Sequence, residues 1–207
     1  MKKILCYGNS NTWGYKPATG TRFSKDIRWP ALMGKLLQSN YEIIEEGYNG
    51  RTALNLYPGS DPANGIDSIK KIIKKHVPVN IALIFLGLND LFGAPEEPLW
   101  EITAAVEKIA ETIKNAHSYS KFPLPEIILI GLPKINLSAE EAHFYELIIN
   151  KIRAFSEMLN QLSLRKSYHF IDISSTIKTS ALDGTHLDAA EHKKLAHITA
   201  NYLNSLL

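Results

Sequence analysis

The chain has 207 residues and a formal net charge of +2, from 23 Lys and Arg against 21 Asp and Glu. Its hydrophobic share of 45% and charged share of 21% are ordinary globular values that argue against disorder, and the balanced charge argues against nucleic acid as a main partner. One cysteine, Cys6, excludes an internal disulfide framework and a Cys-rich zinc module, while a chain of this length buries about 70–75% of its unfolded surface without such staples.

Taken in chain order, residues 3–7 read as a first buried strand. The apolar run after Met1-Lys2-Lys3 is only Ile4-Leu5-Cys6-Tyr7, whereas a signal peptide needs about 7–15 apolar residues. Trp29, Leu32, Met33 and Leu36 then follow helical spacing. A second strand is expected over 41–45. After it, Lys70, Lys71, Lys74 and Lys75 oppose Ile69, Ile72 and Ile73 on a helix with a solvated basic face. Residues 80–86 form a third strand. The longest apolar stretch runs from Ile81 to Leu88, far short of the roughly 20 residues of a membrane span. No membrane span is therefore expected, and a reducing cytoplasm is the simplest location.

Leu99, Ile102, Val106, Ile109 and Ile113 step by three and four along a long helix, and Pro123 and Pro125 break the chain before a fourth strand at 126–130. Ser138 with Glu141 reads as a capping box for a helix carrying Phe144, Ile148, Ile152, Phe155, Leu159 and Leu162. The fifth strand is expected at 168–173. Asp188 with Glu191 reads as an acidic capping box before a last helix with Leu195, Ile198, Tyr202 and Leu206 on one face. No repeat or long linker divides the chain, so 1–207 reads as a single domain. Strict strand–helix alternation with continuously apolar strands implies a parallel sheet in a three-layer α/β/α sandwich. Ligands of such sheets bind beyond the carboxyl ends of the strands.

The unusual polar residues follow the strands. They are Gly8-Asn9-Ser10-Asn11-Thr12, Gly47-Tyr48-Asn49-Gly50-Arg51-Thr52, Gly87-Leu88-Asn89-Asp90 and Asp183-Gly184-Thr185-His186. A serine hydroxyl becomes a nucleophile when a base takes its proton, and imidazole is the usual base. The imidazole needs an acceptor at its other nitrogen. Asp183 and His186 stand three apart across an Asp-Gly turn, and Ser10 would reach them through the sheet. Acyl transfer also needs donors aimed at the developing oxyanion. The backbone N–H groups of Ser10 and Gly50 and the amide of Asn89 are the candidates, with glycine at 50 allowing close backbone approach.

Together these four clusters resemble the SGNH, or GDSL-type, hydrolase family. The stretch from Ile4 to Gly14 is similar to its first block. Arg28-Trp29-Pro30 and Glu45-Glu46-Gly47-Tyr48-Asn49-Gly50-Arg51-Thr52 look most like the arylesterase/acyltransferase branch. Gly87-Leu88-Asn89-Asp90 resembles the third block and Asp183-Gly184-Thr185-His186 the last. The resemblance implies a flavodoxin-like five-stranded parallel sheet of order 2-1-3-4-5. It further implies Ser10 as nucleophile, His186 as base, Asp183 as its partner, and Ser10, Gly50 and Asn89 as the oxyanion hole. No cofactor and no metal is implied. The expected partner is a small-molecule ester, and a homo-oligomer is left open. One departure stands out: Asn9 occupies a position where the family usually has Asp.

Each cluster alone has a plainer reading. Ser10 could be a helix cap, Gly50 a turn glycine, Asn89-Asp90 a cap and Asp183-Gly184 a common turn. His192 and His197 read as solvent-side or helix-end residues, Cys6 as apolar filler, and Trp13 and Trp29 as core or pocket wall. The loops around 57–64, 91–98 and 133–137 are expected to shape the pocket. The leading function is a serine esterase for small acyl (acetyl or aryl) esters, with acyl transfer to alcohols where water is excluded. The alternatives are a carbohydrate O-acetyl esterase and a non-catalytic binding protein on the same fold, the latter motivated by Asn9. A flavin or nucleotide binder is disfavoured, because Trp13 interrupts the glycines after the first strand.

Overall fold

The computed structural model describes residues 1–37, 41–56, 61–137 and 146–206. Five parallel strands form one sheet: β1 (Lys2–Gly8), β2 (Tyr41–Gly47), β3 (Ile81–Phe85), β4 (Glu126–Ile130) and β5 (His169–Ile171). Their order is β2-β1-β3-β4-β5. The sheet and the α/β sandwich are therefore those expected. Ile4, Leu5, Cys6 and Tyr7 of β1 are all fully buried, as is nearly all of β3 and β4, because helices cover both faces. Cys6 packs among them as filler, and burial pushes its thiol pKa up.

Register sets the site. Gly8 at the end of β1 is level with Gly47 of β2 and with Phe85 of β3, so the segments that leave these strands emerge side by side. Two short helices begin there, α1 (Ser10–Trp13) and α4 (Leu88–Gly93). The longer helices are α2 (Trp29–Leu36), α3 (Gly65–His76), α5 (Leu99–Tyr119), α6 (Glu146–Lys166) and α7 (Ala189–Leu206). Helices α2 and α7 pack on each other, while α3 packs on α5 and α5 on α6. Right-handed crossovers put these two groups on opposite faces.

Three details differ from the sequence reading. β5 stops at Ile171, because the Asp172 carboxylate accepts the Ser174 N–H at 2.9 Å and turns the chain off the sheet edge. The buried residues of α7 are Glu191, His192, Leu195, Ala196, Thr199, Ala200 and Leu203, whereas Leu206 is exposed. Polar His192 and Thr199 hide this stripe from a search for apolar spacing. Of the acidic capping box, Asp188 accepts the Glu191 N–H at 2.9 Å, but Glu191 turns away to accept the Lys178 N–H. The Ser138–Glu141 box, Phe144 and loop residues 57–60 lie outside the described residues. Lys70, Lys71, Lys74 and Lys75 are exposed as expected. No helix among the described residues is long and apolar enough to cross a membrane.

Candidate active site

Helix α1 begins directly after β1, and Asn9 caps it. The Asn9 carbonyl oxygen of the side chain accepts the Asn11 N–H at 3.0 Å, and its backbone oxygen accepts from Thr12 and Trp13. Ser10 is thus the first helical residue, not the cap, and its own N–H has no acceptor within the helix. The turn lies hard against β2: a Cβ at Gly47 would stand 2.1 Å from the Trp13 backbone nitrogen. Only glycine permits that approach.

The segment after β5 brings its two predicted residues to Ser10. Ser10 donates its hydroxyl to His186 Nε2 at 3.0 Å, and His186 Nδ1–H donates to Asp183 Oδ2 at 2.9 Å. The carboxylate fixes the tautomer, since its oxygen can only accept at Nδ1. Asp183 is held in turn by its own loop, with Oδ1 accepting the N–H groups of Thr185 and His186 at 3.1 and 3.0 Å. Partial burial works to raise the Asp183 pKa. The His186 N–H and ring, the Thr185 N–H and the imidazolium charge outweigh it and hold the carboxyl below its usual value.

Asn11 is a residue the sequence reading passed over. Its side chain is buried, donates to the Thr185 backbone oxygen at 3.2 Å and accepts the Leu187 N–H at 2.9 Å. It clasps the backbone on both sides of His186 from the position next to Ser10. A short amide after the serine is the only sequence signal of this, and it is indistinguishable from a turn residue.

On the other flank lie Gly50 and Asn89. Gly50 has φ of 76° and a Cβ there would meet nothing, so its glycine answers a left-handed backbone and not a crowded one. The Asn89 amide donates to the Arg51 backbone oxygen at 3.0 Å, linking the two loops. Asn89 is the second residue of α4, whose cap is Gly87. Asp90 is fully buried and accepts the Ala53 and Leu54 N–H groups at 2.9 and 2.8 Å. Burial raises its pKa to about 6 against the lowering effect of those bonds. Arg51, also buried, donates to Pro62 and Gly8 oxygens at 2.9 and 3.1 Å and to Glu46, with its guanidinium 4.4 Å from the Tyr7 ring. Arg28 and Glu45, both singled out in the sequence, form a forked pair at 2.8 and 2.9 Å. The remaining histidine readings divide. His197 is exposed, but His192 is fully buried beneath the site, where its Nδ1 accepts the Trp29 N–H at 3.4 Å. Trp29 is core and Trp13 half-buried. Among the described residues no group of three or more His, Cys, Asp or Glu side chains could hold a metal.

Residues 6–200 match the GDSL-like lipase/acylhydrolase family. The fold also matches the native aryl esterase of M. smegmatis, with a TM-score of 0.88, 26% identity and all of both chains covered. A carbohydrate acetylesterase family member from Sinorhizobium meliloti matches with a TM-score of 0.86 and 26% identity, over 100% of this chain and 99% of the other. The lipase/acylhydrolase of Enterococcus faecalis shares the fold at a TM-score of 0.72 and 16% identity, over 100% and 97%. Among curated proteins nothing matches.

Proposed function

The chain belongs to the GDSL-like lipase/acylhydrolase family and is an ester-hydrolysing serine hydrolase; we propose that it acts on small acetyl and aryl esters through Ser10, His186 and Asp183. We take the whole of 1–207 as one SGNH-hydrolase-like domain working in the cytoplasm. The observation that carries this reading is the continuous chain of two hydrogen bonds, Ser10 to His186 at 3.0 Å and His186 to Asp183 at 2.9 Å, at the carboxyl edge of the sheet.

The chemistry uses only the chain's own groups. His186 Nε2 takes the hydroxyl proton as Ser10 Oγ bonds to the ester carbonyl carbon, and the π electrons move onto the carbonyl oxygen. The Ser10 and Gly50 N–H groups and the Asn89 amide are the donors for that oxyanion. Asp183 steadies the imidazolium, which then protonates the leaving alkoxide to give alcohol and acyl-Ser10. Water, deprotonated by His186, attacks the acyl carbon, the bond to Ser10 Oγ breaks as the imidazolium returns its proton to that oxygen, and the acid is released; an alcohol in place of water gives acyl transfer. Asn9 keeps the acceptor that the turn needs, which supports turnover over a purely binding role.

A second reading, removal of acetyl groups from carbohydrate, is favoured by the likeness to the S. meliloti acetylesterase. Turnover of a panel of aryl acetates and sugar acetates tests both, with Ser10→Ala as background. Wild-type rates far above that background on small esters are expected. Rates equal to it on every ester would reject the proposal, and a preference confined to sugar acetates would install the second reading.

A further inference from the structure

Between α1 and α2 the chain makes an excursion that covers the proposed base. Tyr15 and Arg22 pair as an antiparallel bridge, the Lys16 N–H donates to Thr21 O at 2.9 Å, and the Phe23 N–H closes the loop on Gly14 O at 2.8 Å. The base of this hairpin is anchored. Arg22 Nε donates to Trp13 O at 2.7 Å, its guanidinium lies 5.3 Å from the Trp13 ring centroid, and Arg28 Nη1 donates to Phe23 O at 2.8 Å. The tip is aimed at the proton-transfer pair. The Ala18 N–H donates to Asp183 Oδ2 at 3.2 Å, the same oxygen that takes the His186 Nδ1 proton. The Tyr15 ring stacks on the His186 ring with centroids 4.1 Å apart and planes at 24°.

These contacts differ in kind from those that Asp183 makes within its own loop. Oδ1 is held by Thr185 and His186 N–H groups, so the turn would form without the hairpin. Oδ2, by contrast, has its position shared between the imidazole and Ala18. Ala18 has φ of 57°, a conformation that disfavours any residue with a Cβ, and it is kept where its N–H reaches the carboxylate. A π face next to an imidazole also discriminates between its charge states, because the ring quadrupole attracts a cation and has little to offer the neutral ring. The charged state is the one created when His186 takes the Ser10 proton.

We propose that the Tyr15–Arg22 hairpin is a strap that positions the Asp183–His186 pair, with Tyr15 a positioning residue whose ring orients the imidazole and favours its protonated form. This rests on His186 being the base of the proposed esterase. The groups that face His186 are Ser10 from α1, Tyr15 from the strap, Asp183 from its own loop and, from α7, His192, which has Asp188 and Arg28 around it. Substituting Tyr15 removes none of the others.

The test is the imidazole titration of His186, followed by histidine-selective NMR and assigned with His186→Gln, in wild type, Tyr15→Phe and Tyr15→Leu. Tyr15→Met serves as a second non-aromatic variant should Tyr15→Leu not fold. Losing the ring face lowers the midpoint, while Tyr15→Phe titrates with the wild type. In parallel, kcat on an aryl acetate falls roughly three- to tenfold in Tyr15→Leu with KM little changed, and Tyr15→Phe restores it. An unmoved midpoint in the non-aromatic variants, or an equal shift in Tyr15→Phe, overturns the strap whether or not the protein turns over. Failure of the esterase reading shows separately, as wild-type turnover no greater than that of Ser10→Ala.

Discussion

Asn11 holds Leu187 across 176 residues of sequence: its side-chain oxygen accepts the Leu187 N–H at 2.9 Å while its amide nitrogen donates to Thr185 O. Because Asn11 follows Ser10 and Thr185 and Leu187 flank His186, this one amide couples the two loops whose separation sets the Ser10–His186 hydrogen bond. Asn11→Leu would leave a buried N–H and a buried carbonyl unpaired, at a stability loss of about 2–4 kcal/mol. We expect kcat to fall by tenfold or more with a smaller change in KM, since a loosened base affects the transition state and not ground-state binding. Urea unfolding and steady-state kinetics check the two halves; a stable variant with unchanged kcat would remove Asn11 from the positioning of His186.

In the proposed mechanism Ser10 and His186, joined by a hydrogen bond of 3.0 Å, act as one proton-transfer unit, so their losses should not multiply. Ser10→Ala and His186→Ala each remove most activity, and the double variant is little worse than either. With the Asp183 carboxyl held below its usual value, that carboxylate stays ionised as the imidazole titrates. The rise of kcat/KM with pH then follows loss of the His186 proton. Multiplicative losses, or a profile flat from about pH 5 to pH 9, would count against the assignment.

Asn89 donates to Arg51 O at 3.0 Å, and its second amide hydrogen is the one we propose as a donor to the substrate oxyanion. Asn89→Ala should lower kcat by about 10²–10³, equivalent to roughly 2.7–4 kcal/mol. The loop it touches remains tied by Asp90 to the Ala53 and Leu54 N–H groups, so the fold should survive. A change confined to KM would make Asn89 a ground-state contact.

His192 makes stability depend on pH. Burial pulls its pKa down from 6.5 to about 4, with Arg28 and His186 reinforcing this and Asp188 opposing it. The unfolded chain therefore binds the proton that the native state refuses. The stability associated with neutral His192 is complete above about pH 6.5 and is lost as pH falls towards about 4. Asp90 acts with the opposite sign, its raised carboxyl pKa reducing stability as pH rises from 3.8 to about 6. Both wild type and His192→Asn keep Asp90, so their difference isolates the histidine. Between about pH 8 and pH 5 the wild type should lose roughly 2 kcal/mol more than His192→Asn in urea unfolding. Equal losses would show that His192 charges freely in the folded state.

The strands, their parallel arrangement and the four polar clusters could be read from the chain, because each is a local pattern. A strand buried on both faces must be continuously apolar, as residues 81–85 are. A site at the carboxyl edge of such a sheet must be drawn from the segments that follow the strands. Thus Ser10, Asp183 and His186 were recognisable as candidates from residue type and position alone. What the tertiary structure decided lies in contacts with no local period. The level ends of β1, β2 and β3 set α1 against Gly47, and the clasp of Asn11 on Leu187 and the strap of Tyr15 and Ala18 over Asp183 and His186 join residues more than 160 positions apart. His192 shows the limit most clearly. A polar residue in an exposed-looking helix start, it is buried because α2 closes over it and its backbone Trp29 N–H finds the imidazole nitrogen. Hydrophobic spacing reports which residues prefer the interior; a buried polar group is placed by its partner, and the partner is known only once the chain has folded.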